Sequence, residues 1–101
     1  KLQFAAGEFD MVVYDKEKNC CGIYEIKHSE KVIPNQYHHL VDEEKCRQAE
    51  ARFGKIRGRY VLYRGEDAET EMGVIYQNVE NYLKSLSEGI FKKRIPDVFL
   101  S

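Results

Sequence analysis

Two short apolar runs, Phe9-Asp-Met-Val-Val-Tyr14 and Cys20 to Lys27, flank a polar stretch of hairpin length, Asp15-Lys-Glu-Lys-Asn19. Runs rich in β-branched and aromatic residues and bounded by turn formers read as strands. A connection this short makes the two runs neighbours in one sheet. A further run, Leu2 to Ala5, stops at Ala6-Gly7 and reads as a strand ahead of the pair. The rest of the chain must therefore cover a sheet that begins with a hairpin.

Asp42 is the expected N-cap of a helix that runs to Phe53. Glu43 and Glu44 occupy its first turn, Cys46, Ala49 and Phe53 recur on one stripe, and Gly54 ends it in a left-handed cap. Tyr37 and Leu40 suit an earlier helical turn. Tyr60-Val-Leu-Tyr63 is apolar on both faces, as an interior strand is. Gly65 to Glu71 reads as an acidic loop and Val74 to Tyr76 as a short strand. Asn78 caps a last helix carrying Val79, Leu83 and Leu86. The expected order is β-β-β-α-β-β-α, an α/β mixed sheet flanked by helices. Residues 1–89 form one domain in this reading, and residues 90–101, with Lys92-Lys93-Arg94 and Pro96, are left as a tail.

The 101 residues give room for one domain, and 43% apolar with 33% charged residues excludes collagen-like, mucin-like and generally disordered chains. No apolar run approaches the ~18 residues of a membrane span, so no membrane partner is expected. Three cysteines, two of them adjacent (Cys20 and Cys21), fit free thiols in a reducing cytoplasm better than a disulfide framework. The first residue is Lys1, inside an apolar run, which suggests the C-terminal piece of a longer protein. Net charge is only −1, but Arg52, Lys55, Arg57, Arg59 and Arg64 follow one another with no acid between them. Such a strip can meet a phosphate backbone, although a solvated surface is the plainer use of it.

Side chains two apart on a strand share a face. Glu8 and Asp10 share one; Glu25 and Lys27 share another, about 6.6 Å apart along the strand, with Ile26 turned away between them as an anchor. If Asp10 faces the same side as Glu25 and Lys27, ionisable groups converge on one patch. A hard divalent cation such as Mg²⁺ (or Mn²⁺) takes one or two carboxylates and several waters. Asp10 and Glu25 can supply the carboxylates, the Ile26 carbonyl a third oxygen, and Lys27 can steady a water or a phosphate oxygen. The second Glu-x-Lys, Glu43-x-Lys45, lies on the expected helix and reads as a solvated pair. The adjacent His38 and His39 diverge and read as surface or packing residues, and His28 as structural. Strand packing is the readier use of Tyr60 and Tyr63.

The string Gly7-Glu-Phe-Asp10-Met-Val-Val, a hairpin, then Tyr24-Glu-Ile-Lys27 resembles the PD-(D/E)XK nuclease superfamily of restriction-endonuclease-like fold, over roughly residues 2–64. The resemblance implies that Asp10 is the aspartate of the motif, Glu25 its second acid, Lys27 its lysine, and Glu8 an auxiliary acid. The phrases around YEIKHS, RYVLYRG and YQNVENYL are similar to nuclease-like domains at the C-terminus of prokaryotic AAA-type ATPases. Metal-dependent DNA cleavage, with an upstream ATPase domain as a partner in the same chain, is what the likeness implies. The superfamily often adds an acid on a helix before the first strand, which this chain starts too late to show, and a Gln, Lys or Arg on the following helix. Lys45, Arg47 and Gln48 are the candidates there. Some ATPase-fused domains of this kind keep the fold as a nucleic-acid-binding or protein-docking module without catalysis.

Overall fold

In the computed structural model of the chain, residues 9–92 and 97–100 are described; the expected strand Leu2–Ala5 and the acid Glu8 lie outside them. The hairpin forms as its loop chemistry requires. The Asp15 carboxylate accepts the backbone N–H groups of Glu17 at 3.1 Å and Lys18 at 3.2 Å, and Asn19, a residue tolerant of positive φ, sits at φ 52°. β1 (Met11–Asp15) and β2 (Cys20–Ile26) pair antiparallel with Met11 opposite Tyr24 and Asp15 opposite Cys20.

From β2 the chain crosses over through a 3-10 segment (Pro34–Val41) and helix α1 (Glu43–Phe53). The Asp42 side chain accepts the Lys45 N–H at 3.0 Å, and the acids Glu43 and Glu44 lie in the first turn, where the helix dipole favours them. Gly54 ends α1 at φ 80°, ψ −168°. That is not the left-handed helical region expected of the cap but a more extended one that only glycine enters freely. The chain then runs as β3 (Lys55–Tyr63), parallel to β2.

β4 (Ala68–Glu69) pairs antiparallel with β5 (Val74–Asn78), which lies parallel to β3. Asn78 Oδ1 accepts the N–H groups of Glu80 and Asn81 and starts α2 (Val79–Lys92). β6 (Asp97–Leu100) then pairs antiparallel with β1. The result is a mixed α/β fold: one six-stranded sheet in the order β4-β5-β3-β2-β1-β6, with two helices. Two elements depart from the sequence reading. The acidic loop contains β4, and the residues left as a tail return to the sheet as β6. Neither strand has a local signal, because each is short and takes its stability from partners elsewhere in the chain.

Alternation along the strands sorts the core into two faces. Val12, Ile23, Val61, Val74 and Tyr76 pack with Leu40, Cys46, Ala49 and Phe53 on the α1 side. Met11, Tyr24 and Leu62 pack with Val13, Tyr60 and Tyr82 on the other. Tyr24 and Tyr60 stack with ring centroids 4.7 Å apart, so Tyr60 is a packing residue, as is the buried Tyr63. On α2 it is Tyr82 that meets the sheet, whereas Leu83 of the expected stripe is 55% exposed. Cys20, Cys21 and Cys46 are all free thiols.

Candidate functional site

Among the described residues Glu25 is the one charged side chain that is buried, at 4% exposure. Its place follows from the strand pattern. Glu25 alternates with Ile23 and so faces α1, and one step beyond the Met11–Tyr24 pair the same antiparallel ladder sets Asp10 opposite it. The Asp10 carboxylate is held from the backbone: its Oδ2 accepts the Ile26 N–H at 2.8 Å. Lys27 lies two residues beyond Glu25 on the same face, half-buried, and its own N–H continues the parallel ladder to the Leu62 carbonyl at 2.9 Å. The three side chains singled out by sequence thus meet at the end of β2, beside the start of β1.

Electrostatics ties them together. Burial, then the hydrogen bond with Asp10 and the negative charge of that carboxylate, pushes the Glu25 carboxyl up to about 8. The ammonium groups of Lys27 and Lys45 pull it part of the way back. A buried carboxyl beside a second carboxylate keeps its proton when nothing else neutralises the charge. A cation can stand where that proton is, and this donor set of two carboxylates with the Ile26 carbonyl fits a hard divalent ion that keeps most of its waters. Among the described residues no group of three or more His, Cys, Asp or Glu side chains could hold a metal, so any cation here relies on this smaller set and on substrate oxygens.

Several expectations resolve differently. The Ile26 side chain is turned from Glu25, but at 41% exposure it is not the buried anchor expected. His28 is exposed rather than structural. The basic strip does not form one surface. Lys55 lies opposite Cys20, at the far end of β2 from Glu25, and Arg57 occupies the irregularity where the pairing passes from Cys21–Ile56 to Gly22–Gly58. The Arg52 guanidinium rests 4.8 Å above the Phe53 ring. Arg59 turns inward, its Nε donating to the Leu40 carbonyl at 2.8 Å. Arg64 lies just past the Glu25 end of β3, where its N–H donates to the Ser29 carbonyl at 2.9 Å and it lines a groove of about 640 Å³ with Lys31, Tyr63 and Asn78.

Of the three helix candidates, Arg47 and Gln48 are exposed and bond to Glu44. Lys45 is the one whose charge reaches Glu25. It is half-buried, and its Nζ meets His39 Nδ1. The solvated-pair reading of Glu43-x-Lys45 missed this. So did the reading of His39, whose only sequence signal is its position three residues before the Asp42 cap and six before Lys45. No family model, curated protein or solved structure matches the chain.

Proposed function

We propose that this chain is a PD-(D/E)XK nuclease-like domain of restriction-endonuclease-like type that hydrolyses DNA phosphodiesters with Mg²⁺ or Mn²⁺, and that it forms the C-terminal part of a larger AAA-type ATPase. The observation that carries the reading is the buried Glu25 carboxyl, hydrogen-bonded to Asp10 and within electrostatic reach of the Lys27 ammonium. A buried carboxyl set against a second carboxylate is costly unless it serves a ligand or a reaction. Asp10, Glu25 and the Ile26 carbonyl would hold the cation. When bound, the cation supplies charge neutralisation at the phosphate and a more acidic water.

The chain's own groups do the positioning. The Ile26 N–H fixes the Asp10 carboxylate, and the strand register fixes Glu25 against it. Lys27 sets a positive charge where a water or a phosphate oxygen would stand, and charge fixed in advance needs no reorganisation as the transition state forms. In the reaction a water oxygen bonds to phosphorus, one ester P–O bond breaks, and the water's proton passes by way of solvent to the leaving oxygen.

A second reading is a nucleic-acid-binding or protein-docking module without catalysis. It draws on the small donor set and on the exposed apolar side chains Ile26, Leu83, Val98 and Leu100. A cleavage assay in Mg²⁺ and Mn²⁺ separates the two. Asp10→Ala and Lys27→Ala are each expected to lower cleavage by ~100-fold or more. Equal background cleavage in all three proteins rules out the hydrolytic reading, and DNA binding retained in all three then favours the module.

A further inference from the structure

The two edges of the sheet are built differently. β4, at one edge, is two residues long, and the exposed acids Glu66, Asp67, Glu69 and Glu71 surround it. A short edge of one charge repels a further strand. β6, at the other edge, has β1 as its one strand partner among the described residues. It carries a single charge, Asp97, followed by Val98, Phe99 and Leu100. Phe99 anchors the strand on the α1 side, its ring centroid 5.0 Å from that of Phe53 and 6.4 Å from that of Tyr14. Val98 and Leu100 lie on the opposite face, across from Val13 and Met11, and remain 41% and 54% exposed. α2 packs on that face over β5 and β3, away from β6. An open, apolar edge with no charge beyond its first residue is a template for another strand.

We propose that β6 pairs antiparallel with β6 of a second copy of this chain, about a two-fold axis through Phe99 and perpendicular to the sheet, so that two six-stranded sheets become one. Self-complementarity singles out a second copy as the occupant. In this register Val98 stands opposite Leu100 of the second copy on one face, and Phe99 stands opposite Phe99 on the other. A one-residue slip would oppose side chains of different faces. Charge fits as well. Asp97, the one charge on the strand, lies about 14 Å along the strand from its symmetry mate, so no like charges meet. The acidic β4 edge could not meet its own copy in this way. Four residues a side make a small interface, so the dissociation constant falls near about 10 μM. The pairing makes the α1 faces of the two sheets continuous and sets both Asp10–Glu25 pairs on that one face. It holds whether or not those pairs catalyse.

Sedimentation equilibrium of the intact protein tests the pairing. The wild type is expected to pass from monomer to dimer around about 10 μM. Val98→Lys/Leu100→Lys sets lysine opposite lysine twice in this register and is expected to weaken the dimer by about ten-fold or more. Val98→Lys/Leu100→Glu adds as many charges but sets each lysine opposite a glutamate of the other copy. It is expected to associate at least about ten-fold more tightly than the double-lysine variant, with the advantage shrinking as salt rises. A wild type that stays monomeric up to about 100 μM overturns the inference. So does a dimer that the double-lysine variant leaves unchanged, because the contact then lies elsewhere. Equal weakening in the two variants overturns the register, and species larger than a dimer overturn the closed two-fold. Both positions are exposed, and far-UV circular dichroism checks that each variant keeps its fold.

Discussion

A carboxyl that titrates near 8 is mostly protonated at neutral pH, so Glu25 shapes stability as well as chemistry. In the unfolded chain a glutamate titrates near ~4.3. Between that value and about 8 the native state keeps a proton that the unfolded chain has lost, so stability falls as pH rises through the window and levels off above it. The steepest part of the fall is about 1.4 kcal/mol per pH unit. Glu25→Gln keeps the shape and removes the titration, so its melting temperature is expected to stay flat where that of the wild type drops. Parallel melting profiles for the two proteins between about pH 5 and pH 8 would show that Glu25 is ionised throughout. The same proton predicts that Mg²⁺ raises the melting temperature more at pH ~8 than at pH ~6, because cation and proton compete for one carboxyl pair. At this scale the sequence was informative where strand alternation decided the matter: period put Glu25 and Lys27 on one face, whereas the side that Asp10 takes depends on the hairpin register and stayed a condition. Period did not place Lys45 beside His39, since the contact joins two elements whose relative placement no local pattern encodes.

The elements themselves are held by a few terminal residues, and Gly54 is the most exacting. It links the end of α1 to the start of β3 at φ 80°, and a Cβ added there would stand 2.0 Å from the Asn19 carbonyl oxygen. That oxygen is the acceptor for the Lys55 N–H at 3.0 Å. The close approach therefore ties the hairpin turn to the first residue of β3 and sets the parallel register from which Glu25 and Val61 become partners. Gly54→Ala meets both a backbone conformation unfavourable to alanine and a clash with backbone that cannot swing aside. It is expected to cost about 3 kcal/mol or more by urea denaturation. A loss below about 1 kcal/mol would mean that the turn shifts without harm. The end signals Asp42, Gly54 and Asn78 were all readable, because capping is local chemistry. β4 and β6 were not: β4 is two residues long, and β6 is stabilised by pairing with β1 at the other end of the chain.

Across the whole molecule, the parallel strands β2 and β3 carry their C-terminal ends to one edge, and the ionisable groups cluster there. The basic residues that appear continuous in sequence are separated by the same geometry. From Cys20, opposite Lys55, to Glu25 is about 16 Å along β2 at 3.3 Å per residue, whereas Arg64 sits beside the segment that follows Lys27. DNA advances 3.4 Å per base pair, so the distant Lys55 lies roughly five base pairs from the candidate site, and Arg57 roughly three to four. Charge reversal should expose this division. Arg64→Glu is expected to weaken binding of both a 20-base-pair duplex and a hairpin-capped duplex of about eight base pairs centred on the site. Lys55→Glu is expected to weaken binding of the long duplex only, since the short one, reaching about four base pairs to each side, ends before Lys55. Equal losses on both lengths for both variants would mean that the duplex does not run along β3, and that the long-range field of the basic residues, rather than a fixed path over the sheet, attracts it. A length-dependent loss in the Lys55 variant alone would instead orient the bound duplex along β3, with the Asp10–Glu25 pair at one end of its footprint.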